Sequence, residues 1–208
     1  MLRRVFIACL VGFALLAAGS ARARPGNGRS LVFMGIGGHT GQFVSVIPPL
    51  PTAGFPGAAF REAFGEIGGE IAYDRFLSDQ TTLGISGSYH AGSMSVEEFG
   101  RTATSSTHSF TVRVGGDRFS FIDDRVAIYA GPGVFFRRGR WKSKAVDTTT
   151  EGPDATELGL NGRIGVYALG LFVQVGQNFS HTSGRALGEE LSWWSGSPEG
   201  SLGLAFDF

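Results

Sequence analysis

From Phe64 onward the chain places large apolar residues at every second position, in short stretches separated by segments rich in Gly, Pro, Ser and Asp. Successive side chains of a strand point to opposite faces, so a period of two predicts strands with one apolar face. The carboxy-terminus shows the pattern clearly: Leu202, Leu204, Phe206 and Phe208 alternate with Ser201, Gly203, Ala205 and Asp207. In residues 64–73, Ile67, Ile71 and Tyr73 oppose Glu66, Gly68 and Glu70. Residues 81–91 set Leu83, Ile85 and Tyr89 against Ser86, Ser88 and His90. Residues 106–115 set Phe110, Val112 and Val114 against Thr111 and Arg113. In 125–137 the alternation is noisier, with Val126, Ile128 and Val134 outward and Tyr129, Gly131 and Gly133 inward.

Residues 156–166 oppose Leu158, Leu160, Ile164 and Val166 to Glu157, Asn161 and Arg163, and 171–181 oppose Leu171, Val173, Val175 and Phe179 to Gln174 and Asn178. A first stretch, 30–37, carries apolar residues at both parities and leaves its facing open. The count is eight strands. Their connections alternate long (38–63, 92–105, 138–155, 182–196) with short (74–80, 116–124, 167–170). An apolar face opposed by Glu, Arg, Asn and Gln, with long and short connections on opposite sides, predicts an all-β, eight-stranded antiparallel transmembrane barrel. A soluble sandwich has the same alternation with its apolar face turned inward. Asp74-Arg75-Phe76 and Asp117-Arg118-Phe119 begin two of the short connections and hint at a repeated hairpin unit.

Composition sharpens this reading. Thirty-three Gly and 18 Phe among 208 residues, without a collagen period, suit a β-rich chain of tight turns. Arg3-Arg4, an apolar stretch from Val5 to Ala18 and Ala21-Arg22-Ala23 read as a cleaved secretory signal peptide over 1–23, too short to span a bilayer as a helix. A short periplasmic segment, 24–29, then leads to the barrel at 30–208. Cleavage removes Cys9, the only cysteine, so no disulfide is expected in the mature chain. It also removes Arg3, Arg4 and Arg22, leaving 15 basic residues against 18 acidic ones. That balance argues against nucleic acid as a partner. No spacing of His, Cys, Asp or Glu implies a metal, and no motif implies a cofactor.

The signal peptide, eight strands, loop alternation and terminal aromatic resemble the OmpA/OmpX-type small bacterial outer-membrane barrels. The resemblance implies an outer-membrane protein surrounded by lipid and lipopolysaccharide, handled by the barrel-assembly machinery and monomeric. It also implies that Phe208, with Leu202, Leu204 and Phe206, forms the assembly signal. Function is not implied, because one scaffold hosts many activities. The favoured expectation is a non-enzymatic structural or surface-interaction role. A passage for small apolar ligands of the OmpW kind has no residue marking it.

Three constellations carry candidate chemistry. Glu66, Glu70, Arg113, Glu157, Arg163 and Asp207 fall on the polar parity. An eight-stranded barrel is only wide enough for its own side chains, so these charges are expected to pair into a plug. Arg137, Arg138, Arg140, Trp141, Lys142 and Lys144 form a dense basic run at the outer rim, suited to lipopolysaccharide phosphates or simply to a solvated loop. Trp193-Trp194 are expected to join an aromatic girdle, and Pro48, Pro49, Pro51 and Pro56 stiffen the first long loop. Finally, His181 and Ser183 lie two apart on the lipid parity at the outer end of the seventh strand. They resemble the His-x-Ser pair of PagL-type lipid A deacylases, which implies a base, a nucleophile and Glu189 or Glu190 as the orienting acid. Gly184 stands where that family continues with Asn.

Overall fold

The computed structural model describes residues 28–47, 58–98, 101–145, 148–151, 154–186 and 189–208. The signal-peptide assignment over 1–23, the linker up to residue 27 and the prolines from Pro48 to Pro56 lie outside the described residues. Ten strands are formed: β1 (Ser30–Ile47), β2 (Ala58–Phe76), β3 (Thr82–Glu98), β4 (Arg101–Gly115), β5 (Arg118–Phe121), β6 (Val126–Ala145), β7 (Thr148–Glu151), β8 (Ala155–Ala168), β9 (Leu171–Ala186) and β10 (Glu189–Asp207). Each pairs antiparallel with its neighbours, and β1 pairs with β10, so the sheet closes.

Ten strands make eight staves. The β4–β6 register (Gly115↔Gly133) continues unchanged into β5–β6 (Arg118↔Ala130), so β4 and β5 are one stave. The ladder breaks between them opposite Pro132, which has no N–H to donate, although Gly116 still donates to the Pro132 carbonyl. The short β7 likewise pairs only with the far end of β6, above β8.

The outer wall is apolar. Ile67, Ile71, Leu83, Ile85, Leu158, Leu160, Ile164, Val173, Val175 and Phe179 are all exposed. On β8 the apolar outward positions run from Leu158 to Val166, about 27 Å of strand. At a tilt near 40° that is about 20 Å of height, close to the apolar band of a membrane barrel. The facing inferred from alternation holds on β2, β3, β4, β8 and β9. On β1 the ambiguity resolves with Leu31 and Phe33 inward and Ile36 outward. Phe206 departs from the pattern: it shares the parity of Leu202 and Phe208, which are exposed, yet is only 2% exposed itself.

The long connections were expected as loops, and most of each is strand. β1 runs to Ile47 and β2 starts at Ala58; β3 reaches Glu98 before β4 begins at Arg101. The reason is environmental. Above the lipid belt the outer face of a hairpin meets water and turns polar, so the apolar alternation that marks a strand disappears while backbone pairing continues. The 20-residue β6 rises about 50 Å at the same tilt, roughly twice the belt. Across the bottom the turns are short. Leu169 (φ 55°) and Gly170 (φ 82°) form a two-residue hairpin turn in which both residues are left-handed, the geometry that matches strand twist.

Inside, the lower lumen holds an aromatic cluster. Phe76, Phe119, Tyr129, Phe172 and Leu31 are fully buried, and Phe33 is buried in the same cluster. Phe76 lies 5.2 Å from Phe119, Phe119 stacks on Tyr129 at 5.0 Å, and Phe33 meets Phe172 edge-on at 5.2 Å. Gly165 makes room for Tyr129: a Cβ there would lie 2.4 Å from its ring.

Candidate functional site

Directly above the aromatic layer sits Arg163. Its guanidinium donates to both carboxylate oxygens of Asp117, to Asp74 at 3.4 Å and to the Gln174 side-chain carbonyl at 3.4 Å. It also lies 5.9 Å from the Tyr129 ring centre. Tyr129 donates to the same Gln174 oxygen at 3.1 Å, and Gln174 Nε2 donates to Ser201 at 2.8 Å and to Glu70 at 3.4 Å.

The twin Asp-Arg-Phe segments find their explanation here. They lie in the barrel wall rather than in turns, Asp74, Phe76, Asp117 and Phe119 all pointing inward. Both Asp side chains accept from Arg163, and both Phe rings belong to the layer beneath it. Each triplet supplies one anion and one ring to the same two levels.

Higher in the lumen the charges fall into separate groups. Arg137 donates to Glu157 at 2.9 Å and to Thr111 at 3.0 Å. Glu66 contacts His39 at 3.0 Å and accepts a 2.5 Å bond from Ser109, while His39 meets His90 edge-on at 4.6 Å. Glu199 accepts from Asn161 at 2.7 Å and from Asn178 at 2.9 Å. At the base, Asp207 pairs with Arg29 at 2.8 Å, away from the Arg163 group. So Glu66, Glu157, Arg163 and Asp207 are paired, but with His39, Arg137, Asp74, Asp117 and Arg29 rather than with one another. Glu70 accepts from Gln174. Arg113 is buried with no hydrogen-bond partner on Nε or Nη2.

The missed partners had readable parity. Asp favours turns, so Asp74 and Asp117 read from sequence as turn residues. Arg137 reads as a rim residue because the apolar alternation of its strand ends there.

The basic run splits by alternation because β6 continues through it. Arg137 and Trp141 face the lumen and are buried; Trp141 is therefore not an interface residue. Arg138 and Arg140 project outward above the apolar belt, and Asp154 bridges them at 2.5 and 2.8 Å. Those guanidinia, Arg138 first, hold the Asp154 carboxyl below the usual carboxylate range. Lys142 is exposed, and its cross-strand partner is Glu151. The Lys144 side chain lies outside the described residues. The two tryptophans split in the same way: Trp193 is buried inward, and only Trp194, 76% exposed, can join a girdle.

His181 and Ser183 both point outward at the top of the belt, with Ser183 exposed. The cross-strand partners of His181 are Leu158 and Trp194, and its ring meets the Trp194 ring at 5.2 Å. Ser183 lies between Thr156 and Ser192. Glu190 is placed opposite Arg185, beyond Ser183, and the Glu189 side chain lies outside the described residues. Among the described residues no hydrogen bond joins His181 to Ser183.

A closed wall, apolar outside and charged inside, is the inverse of a water-soluble barrel. No known family model matches the sequence, and no curated protein is similar to it at the sequence level. Solved structures are similar in shape. OprG from Pseudomonas aeruginosa has a TM-score of 0.50 at 8% identity, covering 88% of this chain and 97% of that one. The fold is that of a small outer-membrane barrel. Ail of Yersinia pestis (14% identity, 88% and 99% covered) and the amino-terminal barrel domain of Pseudomonas aeruginosa OprF (13%, 88% and 100%) each give a TM-score of 0.43. At such identities the barrel's kinship is one of architecture.

Proposed function

We propose that this is a non-enzymatic outer-membrane barrel with a plugged lumen, which works through the hairpins it raises above the lipid. The observation that carries the reading is the double fill of the lower lumen: the Phe76, Phe119, Tyr129 and Phe172 layer capped by the Arg163–Asp74–Asp117 group. An ion crossing it would have to part buried ion pairs, at several kcal/mol each. With transit blocked, the surface left for interaction is the hairpin crown, in a structural or adhesive role. Phe208, Leu202 and Leu204 on the outer wall fit the assembly signal, and Arg138, Arg140 and Lys142 fit contact with lipopolysaccharide phosphates.

Two experiments test this. Purified barrel in planar bilayers should leave conductance at baseline; stable open-channel currents would overturn the plug. Cells displaying the protein should lose surface attachment when the four hairpins are cut back to the belt, and unchanged attachment would overturn the interaction role.

A second reading, a lipid A esterase using His181 and Ser183, is favoured by one observation: both side chains face the lipid at the outer edge of the belt. Glu190 lies too far along β10 to orient His181 in this arrangement. Lipid A mass spectra after expression distinguish the two. Loss of an acyl chain that Ser183→Ala abolishes would establish the esterase; unchanged spectra leave the interaction role.

A further inference from the structure

The upper lumen contains a cavity of about 40 Å³ above the Arg163 group. At roughly 10–15 Å³ per water by this measure, it has room for about three waters, or a molecule of similar bulk. Arg113, Glu70, Glu199, His90, Thr111 and Ser201 are among the residues lining it. The space exists partly because β9 has Gly176 on its inward face; a Cβ there would lie 3.0 Å from the Glu199 carboxylate.

Arg113 is the anomaly. It is only 7% exposed, faces this cavity, and has no partner on Nε or Nη2. Among the described residues, the other buried lumen arginines are paired: Arg137 with Glu157, and Arg163 with Asp117 and Asp74. A buried guanidinium with free donors calls for an acceptor, and a carboxylate suits its forked geometry. A simple anion, however, would sit beside Glu70 and Glu199. A simple cation would sit beside Arg113. Only a molecule carrying both charges meets favourable partners on both sides of the cavity.

We propose that the upper lumen is a binding cup for a small zwitterion, with its carboxylate on Arg113 and its ammonium beside Glu70 and Glu199. This is independent of the plug, because a cup closed below needs no exit. The test uses the full chain refolded in detergent micelles and saturation-transfer NMR with glycine as probe, against acetate and methylamine. Glycine should give a saturable signal, with acetate and methylamine at least tenfold weaker. Arg113→Gln and Glu199→Gln should each weaken glycine at least tenfold while keeping the heat-dependent gel shift of a folded barrel. If Arg113→Gln does not fold, Glu70→Gln serves in its place with the same expected loss. No saturable glycine signal, or glycine binding indifferent to these substitutions, would overturn the cup. Acetate binding as well as glycine would overturn the zwitterion assignment.

Discussion

Replacing Arg163 by Met tests whether the lumen is held together by ion pairing. The side chain donates to Asp117 through two nitrogens and reaches Asp74 and Gln174, and both carboxylates are fully buried. Methionine keeps most of the volume but leaves two buried anions without their cation. Breaking a buried pair from one side costs about 3–5 kcal/mol. With a urea dependence near 2 kcal/mol per M, the unfolding midpoint should fall by about 2 M. The assay is urea unfolding of the full chain in lipid vesicles, followed by tryptophan fluorescence and by gel mobility without boiling. Combining Arg163→Met with Asp74→Asn and Asp117→Asn removes the whole charge set, and neutral replacement of a buried ionic group is often close to free of cost. The combined variant should therefore recover to within about 1 kcal/mol of the parent. A single variant as stable as the parent, or a combined variant no better than the single one, would refute the reasoning.

Four further outcomes are expected. Phe119→Ala should destabilise the barrel by about 3–5 kcal/mol in the same assay, since it opens a void in the aromatic layer; a loss under 1 kcal/mol would contradict the packing. Leu169→Gly should stabilise by about 0.5–1 kcal/mol, because Leu169 is held at positive φ; a lowered midpoint would count against strain in that turn. Asp154 titrates below its unfolded value, so its contribution is complete above the ordinary carboxylate range and is lost as pH falls through the folded value. An NMR titration of its carboxyl should place the midpoint below that of a model peptide, and a normal or raised midpoint would show the Arg138–Asp154–Arg140 bridge to be absent in solution. Deleting Phe208 removes two backbone bonds with Ser30, so the fraction that assembles should keep nearly the parent midpoint while surface yield drops; full surface yield would remove Phe208 from the assembly signal.

Where one face met lipid and the other met the lumen, the period-two pattern by itself determined strand count, direction and facing. That held from Ile67 and Glu66 on β2 to Phe179 and Asn178 on β9. The pattern failed where the environment ceased to be two-sided. Above the belt, water replaces lipid on the outer face and erases the alternation, so the upper halves of the strands read as loops. Arg137 and Trp141 consequently read as rim residues, although they point into the barrel. At the base, Asp74 and Asp117 carried a turn-like identity that concealed their inward parity. Pairing across the lumen was beyond any local pattern. Which anion meets Arg163 depends on the closure of β1 on β10 and on the stagger of every stave between, and those bring residues 89 positions apart into one hydrogen bond. Closure also leaves Arg113 Nε and Nη2 without a hydrogen-bond partner. Alternation showed that its side chain points inward; only the assembled barrel decided that it shares a cavity with Glu70 and Glu199.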